Sequence, residues 1–302
     1  MKPIHHLCLC ACLLATFGAA AQPGKLDTAK IEQVIGVKGA FNTNENVFKV
    51  TSPRTDVKIS VDGWAMPPFM GLASWAAFTE QKAGDAMVMG DTVLFQDEVN
   101  PAMSVALDNG LAVTALHNHF FFDEPKVYFM HLSGAGDAGK LATAVRKVWD
   151  KIKEIRAANP QPTTNFGFAS MPATNSITGK TIEDILSAKG QANNGMFKVV
   201  IGRTATMPCG CVMTKDMGVN TWAAFAGADD NAVVDGDFAV LENELQPVLK
   251  SLRHDGIKIV AIHSHMTQEN PRILFLHYWG RGSAAGLAKS LKAALSLQKT
   301  TK

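Results

Sequence analysis

Polar and apolar residues alternate from Asp56 to Val61, the period of a strand with one buried face. Ser74 to Phe78 and Ala86 to Phe95 carry the same signature, the second broken at Gly90-Asp91. Asp97 is a suitable N-cap, Pro101 is tolerated in a first turn, and Gly110 falls where a helix should stop. Ala112 to His119 and Lys126 to Leu132 predict two further strands. Asp137 to Arg156 predicts a longer helix, with Leu141, Val145, Val148 and Ile152 on one face.

This order recurs. Displaced by 146 or 147 positions, the chain aligns with itself: Trp75-Ala-Ala-Phe78 with Trp222-Ala-Ala-Phe225, Gly90-Asp91 with Gly236-Asp237, Glu98 with Glu244, Pro101 with Pro247, and Gly110 with Gly256. In the second copy Asn243 is the expected cap, Lys258 to His265 and Arg272 to His277 are expected strands, and a final helix starts at Ser283. The fold class that follows is α+β: an internal duplication giving two pseudo-symmetric lobes, each a mixed or antiparallel sheet covered by helices. The expected divisions are a signal peptide over 1–21, a first lobe over 22–156, a linker over 157–194 with a short helix near Thr181 to Ala188, and a second lobe over 195–302.

The N-terminus supplies the signal-peptide expectation. Lys2 precedes an apolar run from Leu7 to Gly18, and Ala19-Ala20-Ala21 offers small residues for cleavage. A periplasmic or secreted protein is therefore expected. Leu9-Cys10-Ala11-Cys12 gives a lipid-anchored alternative, which is disfavoured because so little apolar sequence precedes Cys12. No later stretch reaches the roughly twenty apolar residues of a spanning helix. Lys plus Arg number 29 against 27 Asp plus Glu, with no basic stripe, which argues against a nucleic-acid partner. Nothing in the sequence fixes an oligomeric state.

The chemistry lies in the histidines. Six of the nine fall in matched positions: His117, His119 and His131 with His263, His265 and His277. Residues two apart on a strand point to one face, so each His-x-His projects as a pair, and a following strand can bring in the third imidazole. Three neutral imidazoles suit Zn²⁺ or another divalent transition metal, with a fourth position left for water. Glu98 and Glu244 are the expected catalytic proton carriers, and Asp91 and Asp237 are further carboxylates at hand. A metal-binding protein, extending to a metal-dependent hydrolase, is the leading expectation. The alternative is a non-catalytic envelope protein that binds a small molecule or cell-wall component between the lobes, its histidines hydrogen-bonding loop backbone. No nucleophile elbow, phosphate loop, dinucleotide fingerprint or HExxH is present.

Arg54 and Arg203 precede each Trp-Ala-Ala-Phe and are expected in surface or interlobe ion pairs, with an anion clamp as the alternative. Trp75 and Trp222 are expected in the core, and Trp279 as the wall of a site. Cys209 and Cys211 are expected as free or locally oxidised thiols. The sharper alternative is a soft metal site with Met207, Met213 and Met217.

Met89-Gly-Asp91, Asp97-Glu-Val-Asn-Pro101, Ala115-Leu-His-Asn-His119, Gly236-Asp-Phe238 and His277-Tyr-Trp-Gly280, with the two Trp-Ala-Ala-Phe motifs, resemble the LppY/LpqO family of bacterial exported proteins and lipoproteins. The likeness runs from about Ile31 to Leu297. It implies export and supplies no activity. Met207-Pro-Cys-Gly-Cys211 and the weak lipobox depart from that pattern.

Overall fold

The computed structural model describes residues 26–82, 85–168 and 170–298. The signal-peptide expectation for 1–21 lies outside the described residues. The first half runs α1 (Thr28–Ile35), β1 (Gly39–Asn42), β2 (Val47–Pro53), β3 (Ala73–Lys82), β4 (Asp85–Phe95), α2 (Gln96–Asp108), β5 (Ala112–Asn118), β6 (Val127–Asp137) and α3 (Ala138–Ala158). The second half repeats this as α4 (Gly179–Leu186), β7 (Gly190–Asn193), β8 (Met196–Gly202), β9 (Asn220–Ala228), β10 (Asn231–Leu241), α5 (Glu242–His254), β11 (Lys258–His263), β12 (Ile273–Gly282) and α6 (Ala284–Leu295). Within 157–194, therefore, α4 and β7 stand where α1 and β1 stand in the first half.

The twelve strands form one sheet in the order β1-β2-β3-β4-β6-β5-β11-β12-β10-β9-β8-β7. Every pairing along it is antiparallel. The order reads alike from either edge once the halves are exchanged, so a pseudo-twofold axis passes between β5 and β11. One face carries the core. Along β4, Ala86 and Val88 are buried while Met87 and Met89 are exposed, the alternation a pleat imposes. The buried face packs with residues of all six helices, among them Ile31, Met103, Val145, Ile182, Leu245 and Leu287, in one cluster that spans both halves. The halves, expected as a pseudo-symmetric pair of lobes, share one sheet and one core. Each large side chain so buried, such as Phe78 or Phe225, contributes about 1.5–3 kcal/mol.

The seam between the halves is short in backbone pairing, with Ile262 opposite Leu116. Side-chain amides extend it. Asn100 of α2 donates to Ile259 O at 3.1 Å and accepts from Ile259 N at 2.8 Å. Gln246 of α5, at the matched position, accepts from Val113 N and donates to Val113 O, both at 2.9 Å. Each half thus hydrogen-bonds the central strand of the other.

Several expectations change in structural terms. The strand expected at Asp56 to Val61 is reduced to Ser60–Val61, part of a small ribbon outside the main sheet, and α1, β1 and β2 precede the first element expected from the pattern. Gly90-Asp91 and Gly236-Asp237 lie in mid-strand and not in turns. Each glycine is required by proximity, since a Cβ would meet Trp75 O at 2.8 Å or Trp222 O at 2.3 Å. Trp75 and Trp222 are partly exposed on the open face, beneath Lys49 and Lys198 ammonium groups at 4.3 and 4.2 Å. The helix stops do fall at Gly110 and Gly256, with φ of 82° and 79°.

Candidate metal centre

A β-bulge in each half decides which side chains meet. In the second half Lys258 pairs with Trp279 and Ala261 with His277, so one extra residue is inserted between Ile259 and Ala261. The insertion moves Ala261, and therefore His263 two residues on, to the His277 face of the sheet. On the other side of β12, Asp237 is the direct partner of His277. The first half repeats the device: a bulge between Val113 and Ala115 sets Ala115 opposite His131, and Asp91 flanks it from β4.

In the second half Asp237, His263 and His265 present one donor atom each, all within 4.8 Å of one another, the one such group among the described residues. His265 Nε2 lies 3.2 Å from Asp237 Oδ2, and its Nδ1 faces Gly218 O at 3.2 Å. Its ring stacks on buried Phe275, with centroids 3.5 Å apart. His277 stacks on His263 with centroids at 4.5 Å, and its Nδ1 is 4.0 Å from Asp237 Oδ1. Asp237 Oδ1 and His263 Nδ1 are buried without a hydrogen-bond partner among the described residues. Burial holds the His263 imidazole below its ordinary pKa; the Asp237 charge pulls it up, and His277 and His265 push it down.

In the first half His117 Nε2 and His131 Nε2 approach to 3.1 Å, while His117 Nδ1 faces Asn118 O at 2.9 Å. His119 packs on Phe129 and Phe120 at 4.6 and 4.8 Å between centroids. Asp91 Oδ1 is buried without a hydrogen-bond partner among the described residues. Burial raises the Asp91 pKa, against the charges of His131, His117 and His119. Ligands about 2.0–2.1 Å from a tetrahedral ion stand roughly 3.3 Å apart. The 3.2 Å Asp237–His265 and 3.1 Å His117–His131 separations both fit. The aspartates entered the sequence reading only as general carboxylates; their place beside the third histidine follows from strand pairing.

Glu98 and Glu244 are placed elsewhere. Glu98 is fully buried, its oxygens 2.7 and 3.0 Å from Arg54 Nη1 and Nη2, and it accepts the Phe95 N–H at 2.8 Å. Arg156 Nε adds a third contact at 2.9 Å. Glu244 likewise binds Arg203 and accepts the Leu241 N–H at 2.9 Å. Both carboxylates therefore close the first turn of a helix and neutralise a buried guanidinium. Arg54 and Arg203 are buried within their own halves, neither surface nor interlobe. Burial would lower the Arg54 pKa, and its bonds to Glu98 and Asp56 more than reverse this. Cys209 and Cys211 are free, exposed, and 2.6 Å apart between sulfurs, beside the ribbon Ala205–Thr206 and Val212–Met213.

No helix among the described residues is long and apolar enough to cross a membrane. No curated protein matches the chain in sequence. Among solved structures, the chain is similar at 10% identity to a double ringed trimeric shell protein from the RMM microcompartment, over 72% of this chain and 83% of that one. The TM-score is 0.17, so nothing about this fold rests on that likeness. The family profile described as "Domain of Unknown Function (DUF1259)" matches residues 29–151 and again 180–297, one match in each half. That description does not carry the LppY/LpqO name which the motifs resemble. The chain belongs to the DUF1259 family and contains its domain twice.

Proposed function

We propose that this protein binds a divalent transition metal of the Zn²⁺ type in its second half, through Asp237, His263 and His265, with His277 as a further donor. The observation that carries this is the convergence of those donor atoms, together with the buried Asp237 Oδ1 and His263 Nδ1 that have no hydrogen-bond partner among the described residues. Leaving a buried polar atom unpaired costs about 1–3 kcal/mol, and a coordinated cation would remove that cost. Imidazole and carboxylate are borderline and hard donors, which suits Zn²⁺ better than a soft ion. Asp91, His117 and His131 would form a second, weaker centre, because among the described residues only the second-half donors converge as a group of three.

Hydrolysis is the activity that this donor set would support, since such an ion supplies a Lewis acid and lowers the pKa of water to about 7. Glu98 and Glu244 are not its proton carriers in this proposal, because arginines and helix N–H groups engage both carboxylates. Export follows from Lys2, Leu7 to Gly18 and Ala19-Ala20-Ala21, in keeping with the LppY/LpqO resemblance. The test is metal analysis of untagged protein purified without chelators, followed by Zn²⁺ titration of the metal-free chain. Near-stoichiometric metal that His263→Ala removes supports the proposal; a metal-free protein that takes up no Zn²⁺ ends it.

A further inference from the structure

The two halves kept their histidines but not the surroundings. On the open face Lys258 pairs with Trp279, and His277 lies two residues along β12 on the same face. In the first half the matched pair is Ala112 and Ser133, beside His131. A cavity of about 450 Å³ lies beside these larger second-half residues and is lined as well by Gln96, Asn100 and Tyr128 of the first half. Trp279, Lys258 and His277 line it from the sheet, and Phe166 from the segment joining the halves. That volume lies in the range of small-molecule sites, and the lining has their composition, mostly apolar with a few polar groups.

The walls specify a ligand. Trp279 and Phe166 offer aromatic surface, and Lys258 Nζ lies 5.5 Å from the Phe166 ring centroid. Burial, and next the charge of Arg253, hold Lys258 below its ordinary pKa. An anion beside the ammonium would relieve both effects. Asp235, the partner of Trp279 on its other side, also lines the cavity and is exposed, so its charge lies across Trp279 from Lys258.

We propose that this cavity binds a ring-bearing carboxylate, with the ring against Trp279 and Phe166 and the carboxylate beside Lys258. The first half has Ala112 and Ser133 at the matched positions, so the duplication has been specialised around its second histidine cluster. The pocket does not depend on an ion being bound, although its ligand would lie next to His277.

Benzoate is the probe, with benzamide as its uncharged counterpart, titrated calorimetrically into the full chain in metal-free and Zn²⁺-treated forms. Saturable benzoate binding is expected in both forms. Trp279→Ser, which installs the first-half residue, should weaken it at least tenfold. Lys258→Gln should weaken benzoate severalfold and leave benzamide unchanged. Phe166→Ala serves as a second variant should Trp279→Ser fail to fold. Failure of benzoate to saturate either form would overturn the proposal, as would binding that survives both aromatic substitutions. Binding confined to the Zn²⁺-treated protein and lost in His263→Ala would also overturn it, by placing benzoate on the ion. Benzoate binding to a protein that takes up no Zn²⁺ would support the pocket while removing the metal reading.

Discussion

Asp237 Oδ2 lies 3.2 Å from His265 Nε2, while Oδ1 of the same carboxylate is buried and has no hydrogen-bond partner among the described residues. One oxygen is thus committed to the histidine cluster and the other is held in reserve. Asp237→Asn keeps the shape and removes the charge. It should weaken Zn²⁺ binding at least tenfold in competition with a chromophoric chelator, whereas Asp91→Asn in the first half should change the tighter binding less than threefold. Equal losses from both would show that the halves are equivalent.

The bulges can be tested through the amides that accompany them. Asn100→Ala removes both hydrogen bonds to Ile259 and strands a buried backbone N–H, at a cost of about 1–3 kcal/mol in denaturant unfolding. Gln246→Ala should cost a similar amount at Val113. The two sites share no partner, so the double variant should lose close to the sum. Unchanged stability in either single variant would mean that the seam is held by packing alone.

How much of this was legible beforehand depended on the range of the interaction. The duplication, the stops at Gly110 and Gly256, and the helix with Leu141, Val145, Val148 and Ile152 on one face are local and could be read directly. The histidine pairing was legible in type and not in placement. His117 and His263 reach the face of His131 and His277 only through an inserted residue, which alternation along one strand does not reveal. Trp75 and Trp222 looked like core because hydrophobic bulk is visible in sequence, whereas which face the helices cover is not. Arg54 and Glu98, 44 residues apart, meet only once β2, β4 and α2 are assembled.

Those buried ion pairs give a separate expectation. Arg203→Ala leaves Glu244 charged in a buried site, at a cost of about 3–5 kcal/mol. Zn²⁺ affinity of the fraction that stays folded should be unchanged, which calorimetry at low denaturant would check. A matched loss of metal affinity would instead place Glu244 in the site.

The pH dependence of the metal-free protein follows from His263. Its pKa in the folded chain is depressed by burial, so above about 6.5, the unfolded value, both states are neutral and the group contributes nothing. Below that pH the unfolded chain takes up the proton first, and stability falls until the folded pKa is passed. His263→Gln should therefore lose less stability than the parent between pH 7.5 and 5.5. An identical loss in both proteins would assign the effect to other groups.

The most direct measurement is metal stoichiometry by mass spectrometry on untagged protein prepared without chelators, beside His263→Ala and Asp237→Ala. Close to one tightly held divalent transition metal per chain is expected in the parent, falling to near zero in both variants while the sheet's circular dichroism is retained. A parent protein without metal, whose unfolding temperature is unmoved by added Zn²⁺, would contradict the account.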